Sequence, residues 1–186
     1  MKTPEDSPVP LLGFAAYSGT GKTTLLKQLI PLLREAGLRL GVIKHAHHQV
    51  EVDQPGKDSY ELRKAGAARV LLASSRHWAL MVDESQEREP ELPELLTRLD
   101  CSVVDLVLVE GFRDLEFPKI ELHRSALGKP LLFPADSSII AIASDNGIGE
   151  ATDLPQLDLN DPAAIADFIH NYCASFSPAE VNRSAG

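Results

Sequence analysis

Between Leu11 and Leu26 an apolar run gives way to a glycine-rich turn and then to an amphipathic segment. Strand, loop and helix in that order make the frame of a phosphate-binding loop. Residues 16–23 follow the pattern G-x-x-x-x-G-K-[ST], with Ala16 in place of the first glycine. Ser18, Gly19, Thr20 and Gly21 form the turn. Gly19 and Gly21 carry no Cβ, so successive backbone N–H groups can point inward at phosphate oxygens. The helix that opens at Thr23 and Thr24 adds unpaired N–H groups and the positive end of its dipole. Lys22 is expected to reach the β- and γ-phosphates, and the Thr23 hydroxyl to sit on Mg²⁺. A glycine turn that merely precedes a helix needs none of this order. The pattern points to nucleotide binding and says nothing of its purpose. Tyr17 stands where the deviant loop of partition-type ATPases has a second lysine, which argues against that branch.

The whole chain bounds the partners. Eighteen basic and 27 acidic residues among 186 give a net charge of −9, which disfavours nucleic acid held by broad electrostatics. Residues 1–9 are proline-rich and acidic, and no run approaches the ~18 apolar residues of a membrane span. Two distant cysteines, Cys101 and Cys173, fit reduced thiols in a cytoplasm better than a disulfide framework. The expected organisation is one α/β domain over residues 10–176, a mostly parallel sheet flanked by helices. Residues 1–9 and 177–186 are expected to be flexible ends.

Residues 23–36 carry a helical apolar face of Leu25, Leu26, Leu29, Ile30, Leu32 and Leu33, with Pro31 inside it and Gly37 as its stop. Pro31 predicts a kink or an early end. Residues 38–43 read as a second strand, at whose carboxyl end stand Lys44, His45, His47 and His48, the edge where ligands bind in doubly wound sheets. These histidines with Asp53 lack a Cys pair or an i, i+4 spacing, so a stable zinc site is not expected. A polar loop and a place beside the phosphates are both open for them, with Lys44 and His45 the nearer candidates. Asp58 and Glu61 resemble a capping box for a helix that stops at Gly66, and Lys57 ahead of it would suit an anion or a partner. Residues 69–73 and 77–82 predict a hairpin with Trp78 in its core. An acidic loop and a short helix around Leu92, Leu95, Leu96 and Leu99 follow.

Residues 103–110 are nearly all apolar, as in a central parallel strand buried on both faces, and they end in Glu110 and Gly111. Beside a phosphate loop Glu110 reads as a Walker B-like carboxylate that holds Mg²⁺ or orients a water; solvent at the strand end is the plain alternative. Residues 117–124 and 138–144 predict two more strands, the second being the last. Asp145 after it could accept the paired N–H donors of guanine, or simply form a turn with Asn146 and Gly147. Asp161 and Pro162 cap a final helix to about Ser175.

Taken together, residues 17–26, 44–48, 55–67 and 108–112 resemble the MobB family of molybdopterin-guanine dinucleotide biosynthesis adapters, over residues 10–171. The resemblance implies a homodimeric P-loop protein that binds GTP with Mg²⁺ and hydrolyses it weakly. It implies assistance to MobA, the enzyme that joins GMP to molybdopterin, and a place among other molybdenum cofactor biosynthesis proteins. It carries Ser18 to Thr24 to the phosphates, Thr23 and Glu110 to Mg²⁺, and His45 and Asp145 to the nucleotide. Guanine preference rests on the resemblance, because no [NT]KxD segment is present. The competing reading is a P-loop small-molecule kinase or ATP-dependent ligase, for which residues 44–57 are the sequence's candidate acceptor loop. A scaffold with vestigial nucleotide binding is the third.

Overall fold

The computed structural model describes Pro4 and residues 7–46, 53–84 and 86–176. The chain falls into two compact units, Met1–His45 with Glu91–Gly186, and Ala46–Pro90. The larger unit contains β1 (Leu11–Ala15), α1 (Lys22–Glu35) and β2 (Leu40–Lys44). In the smaller lie α2 (Asp58–Lys64), β3 (Arg69–Ala73) and β4 (Trp78–Val82). The larger unit resumes with α3 (Leu92–Arg98), β5 (Leu106–Glu110), β6 (Lys119–His123), β7 (Ile139–Ser144), β8 (Gln156–Asp158) and α4 (Pro162–Ser175).

Six strands form one sheet in the order β2-β5-β1-β6-β7-β8, and every pairing is parallel. Alternation along the strands sorts the core into two faces. Leu12 and Phe14 of β1, Leu106 and Leu108 of β5, and Ile120 and Leu122 of β6 pack with Leu25, Leu29 and Leu33 of α1 and Ile165 and Ile169 of α4. Leu11, Val107, Val109 and Ile43 turn the other way, onto Leu92 and Leu96 of α3. Helices on both faces explain why β1 and β5 show almost no polar residue. The start of β5 is clipped to the start of β2. Asp105 accepts the Arg39 backbone N–H at 2.8 Å and both arms of its guanidinium, at 2.9 and 2.7 Å.

Several expectations change. Pro31 does not end α1, which runs on to Glu35; the residue is solvent-facing, so water can take the carbonyl that loses its helical donor. The strand of residues 138–144 is not the last, because β8 adds a short edge after it, too brief and exposed to show an apolar run. β5 begins at Leu106 rather than residue 103. Cys101–Val103 instead forms a 3₁₀ turn in which the Ser102 N–H donates to the Asp100 carboxylate.

In the smaller unit β3 and β4 form the expected antiparallel hairpin, with Leu71 opposite Leu80 and Ala73 opposite Trp78. Trp78 is not core. It is 72% exposed, on the same face as Leu71 and Leu80, while Met81 on the other face is buried. Asp58 is the first helical residue of α2 and not its cap, which is Lys57 in an extended conformation without a side-chain hydrogen bond. Asp58 and Glu61 still place negative charge at the positive end of the helix. Asp161, by contrast, caps α4 as expected, accepting from the N–H groups of Ala163 and Ala164.

Two outcomes are expected. A Cβ at Gly13 would lie 2.6 Å from the Phe117 ring and 2.8 Å from Lys119 Cγ, and both side chains are buried and held. Gly13→Ala should therefore lower stability by about 1–3 kcal/mol, read as a lower urea midpoint. The hydrogen bonds from Arg39 pull the Asp105 carboxyl from 3.8 down to about 2. Its folded value lies below its unfolded one, so its contribution is complete above about 3.8 and is lost as pH falls through about 2. Asp105→Asn should flatten that part of the acid-unfolding curve.

Candidate nucleotide site

The loop leaves β1 at Ala16 and enters α1 at Lys22. Gly19 (φ 84°) and Gly21 (φ 98°) both adopt the left-handed conformation that costs other residues most. Gly21 is also the N-cap of α1, and it offers no side chain to the helix. The first N–H groups of α1 therefore stay available to an anion. Thr20 is buried, and its hydroxyl donates to the Tyr17 carbonyl at 2.8 Å, which stitches the loop closed from within. Ser18 and Gly19 stand exposed at its crest, and Thr23 and Thr24 are exposed on the first turn of α1. Lys22 folds back over the loop, Nζ donating to the Ala16 carbonyl at 3.3 Å.

Register decides what faces this loop. Phe14 of β1 and Lys44 of β2 both pair with Glu110 of β5, so Glu110 ends its strand beside the loop with Lys44 on its far side. Lys44 Nζ lies 3.2 and 3.3 Å from the two Glu110 oxygens. Burial pulls the Lys22 ammonium below the ordinary lysine range; Glu110 opposes this, and the nearby charges of Lys44 and Arg113 add to it. Lys44 thus pairs with the Glu110 carboxylate, whose charge also favours the Lys22 ammonium, and Arg113 adds to the repulsion on Lys22, in a chain whose net charge is −9. An anion brought here would relieve the repulsion among Lys22, Lys44 and Arg113.

Beyond Glu110 the chain turns sharply. Gly111 (φ 102°) and Phe112 (φ 52°) are both left-handed, and a Cβ on Gly111 would fall 2.5 Å from His45 Cβ. His45 is brought to this turn. Its N–H donates to the Glu110 carbonyl at 2.7 Å, and its ring stacks on Phe112 with centroids 4.6 Å apart. His47 and His48 lie outside the described residues. Among the described residues no cluster of three His, Cys, Asp or Glu could hold a metal by itself.

Asp145 stands on the β6–β7 side of the loop. It accepts the Ser125 N–H at 2.9 Å, which, ahead of Arg124 at 3.5 Å, holds its carboxyl below the usual carboxylate range. Arg124 in turn donates to the Thr20 carbonyl at 3.2 Å and so joins Asp145 to the loop.

Sequence reasoning passed over two charged residues in β6. Lys119 is 2% exposed, and its ammonium donates to the carbonyls of Arg113 (2.8 Å) and Leu115 (2.7 Å) while pairing with Asp136 at 2.8 Å. Glu121 is equally buried; burial pushes its carboxyl up, against the N–H groups of Leu132 and Phe133 at 2.8 and 2.9 Å. Their signal was present, in charges alternating with Ile120 and Leu122 inside a strand. Lys119, Tyr17 and Arg113 share the wall of a cavity of about 470 Å³.

Residues 11–145, which run from β1 through the loop and Glu110 to Asp145, match the family model of MobB, molybdopterin guanine dinucleotide synthesis protein B. The chain is 52% identical over 162 residues to the molybdopterin-guanine dinucleotide biosynthesis adapter protein of Escherichia coli (strain K12), covering 87% of this chain and 91% of that protein. The adapter protein of the same description from Haemophilus influenzae is 43% identical over 171 residues, 92% of this chain and 93% of its own. The crystal structure of molybdopterin-guanine biosynthesis protein B superposes with a TM-score of 0.70 at 28% identity, covering 89% of this chain and 99% of that one. Every part of the site lies within the matched span, and the chain belongs to the MobB family.

Proposed function

We propose that this chain is a GTP-binding adapter of the cytoplasm that assists a MobA-type guanylyltransferase in attaching GMP to molybdopterin. The observation that carries the nucleotide half is the left-handed glycine turn with open N–H groups at the start of α1, crossed by Lys22 and flanked by the Lys44–Glu110 pair. A triphosphate supplies the negative charge that this edge lacks. The adapter half is carried by the likeness to curated adapters, which spans most of both chains.

The donor set suits Mg²⁺. The Thr23 hydroxyl on the first turn of α1 and the Glu110 carboxylate at the end of β5 are hard oxygen donors, and Mg²⁺ takes one or two such groups beside phosphates and waters. Bound there, the ion would neutralise the phosphates and polarise the terminal one. Glu110 is ion-paired with Lys44, so its carboxylate is shared between that lysine and any ion or water it would hold. Asp145, kept ionised, is an acceptor for the guanine N1–H and N2–H₂ donors. Ser18 to Thr24 wrap the phosphates, and His45 supports the Glu110 turn from β2.

The reading includes a homodimer. A two-stranded ribbon is marginal in water alone, and the β3–β4 face bearing Leu71, Trp78 and Leu80 is uncovered. A second copy would bury it. Cys101 and Cys173 are free, in keeping with a reducing compartment, and no helix of the described residues is long and apolar enough to cross a membrane.

Immobilised chain should retain the MobA-type enzyme with GTP and Mg²⁺ and release it with GTP omitted; retention indifferent to nucleotide would remove the adapter reading. Glu110→Gln should keep GTP binding but slow Mg²⁺-dependent phosphate release by ~10²-fold or more, measured in single-turnover assays. Trp78→Ser with Leu80→Ser should shift sedimentation from dimer to monomer without loss of helical circular dichroism.

A further inference from the structure

Arg113 stands out among the arginines near the loop. Its backbone is fixed: the turn of Gly111 and Phe112 delivers it three residues after Glu110, and buried Lys119 binds its carbonyl at 2.8 Å. The same ammonium binds the Leu115 carbonyl, and Leu115 N–H closes the turn onto Phe112 at 3.1 Å. Its side chain is loose. The guanidinium is half exposed, and its ion-pair partner among the described residues is the adjacent Asp114 at 3.6 Å, longer than a hydrogen bond. A fixed backbone carrying a fork held, among the described residues, by a long ion pair to an exposed neighbour is the arrangement of a group that can turn to a ligand. Arg124, the other arginine beside the loop, is already engaged with the Thr20 carbonyl and Asp145.

Position selects the ligand. Arg113 and Tyr17 line one cavity, and Tyr17 follows Ala16, whose carbonyl holds Lys22 Nζ. Asp114, Glu116 and Asp136 also line that cavity, but Asp114 is almost fully exposed and Asp136 is bound by Lys119. Arg113 thus lies beside the loop at Tyr17, three residues past Glu110, in a cavity whose other wall is the β6–β7 connection at Leu132, Ala135 and Asp136, while Arg124 is held at Thr20 and Asp145.

We propose that Arg113 contacts the terminal phosphate of the bound nucleoside triphosphate and makes the chain distinguish triphosphate from diphosphate. This rests on the nucleotide-binding reading above. Lys119 is the positioning residue that holds Arg113 in place. In hydrolysis a water oxygen bonds to the γ-phosphorus while the bond from γ-phosphorus to the β,γ-bridging oxygen breaks. The electron pair stays on the diphosphate, and the water's proton passes to the released phosphate or solvent. Arg113 neutralises charge on the γ-oxygens as this happens.

The test is calorimetric titration of the full chain with GTP and with GDP, both with Mg²⁺, in wild type, Arg113→Ala and Arg113→Lys. Arg113→Ala should lose ~10- to 100-fold in GTP affinity while GDP affinity holds. Arg113→Lys should recover part of the loss, as a point charge without the fork. Single-turnover hydrolysis should fall with Arg113→Ala even at saturating GTP. An unchanged ratio of GTP to GDP affinity in Arg113→Ala, whether both hold or both fall, overturns the assignment. Wild type that binds neither nucleotide overturns the phosphate-loop reading itself, and this inference with it.

Discussion

The carboxylate of Glu110 is what lets Lys44 and Lys22 stand near one another at one edge of the sheet. Lys44 sits 3.2 Å from it, and it offsets the charge of Lys22, which the neighbouring Lys44 and Arg113 repel. The arrangement follows from register. β5 lies between β1 and β2, and Glu110 pairs both with Phe14, just before the loop, and with Lys44 at the end of β2. A one-residue slip would turn Glu110 and Lys44 to opposite faces. The Arg39–Asp105 clip at the other end of β2 and β5 resists that slip. The register thus sets Lys44 and Glu110 together beside the loop that carries Lys22, an arrangement that suits a polyphosphate.

Two buried charges hold the surroundings of that edge. An isolated ammonium or carboxylate inside a protein costs several kcal/mol, so Lys119 and Glu121 need full hydrogen bonding to be tolerated. They have it. Lys119 gathers two carbonyls of the turn after β5 and the Asp136 carboxylate, and Glu121 gathers the N–H groups of Leu132 and Phe133. Loops on both sides of the cavity near Tyr17 are therefore fastened to one strand, β6. An apolar pair in their place would pack, but would leave those backbone groups unanswered.

Much of this was readable from residues alone, and the reasons differ by element. The strand, glycine turn and helix of residues 11–35 were legible because two glycines between an apolar run and an amphipathic segment are local requirements of one turn. β5 and Glu110 were legible because a strand covered on both faces must be apolar until it emerges. The hairpin pairing was legible from its turn at Ser74–Arg76, but the exposure of Trp78 was not, since apolar alternation does not say what covers a face. Asp58 looked like a cap because caps and first-turn acids use the same residue types, and only the extended backbone of Lys57 separates them. Lys119 escaped because its partners are carbonyls of residues 113 and 115 and a carboxylate seventeen positions on, contacts that exist only once the turn after Glu110 is folded. Likewise, nothing local distinguished Arg113 from Arg124 until β6 placed Arg124 against Thr20 and Asp145.

The central claim is that this charged edge binds a guanine nucleotide through its phosphates. Equilibrium titration of the purified chain with GTP and with ATP, in the presence of Mg²⁺ and beside Lys22→Ala, tests it most directly. Binding that favours GTP, and that weakens by about 100-fold or more without the lysine, is the expected result. Equal or tighter ATP binding would contradict the guanine reading, and affinity untouched by Lys22→Ala would contradict the site.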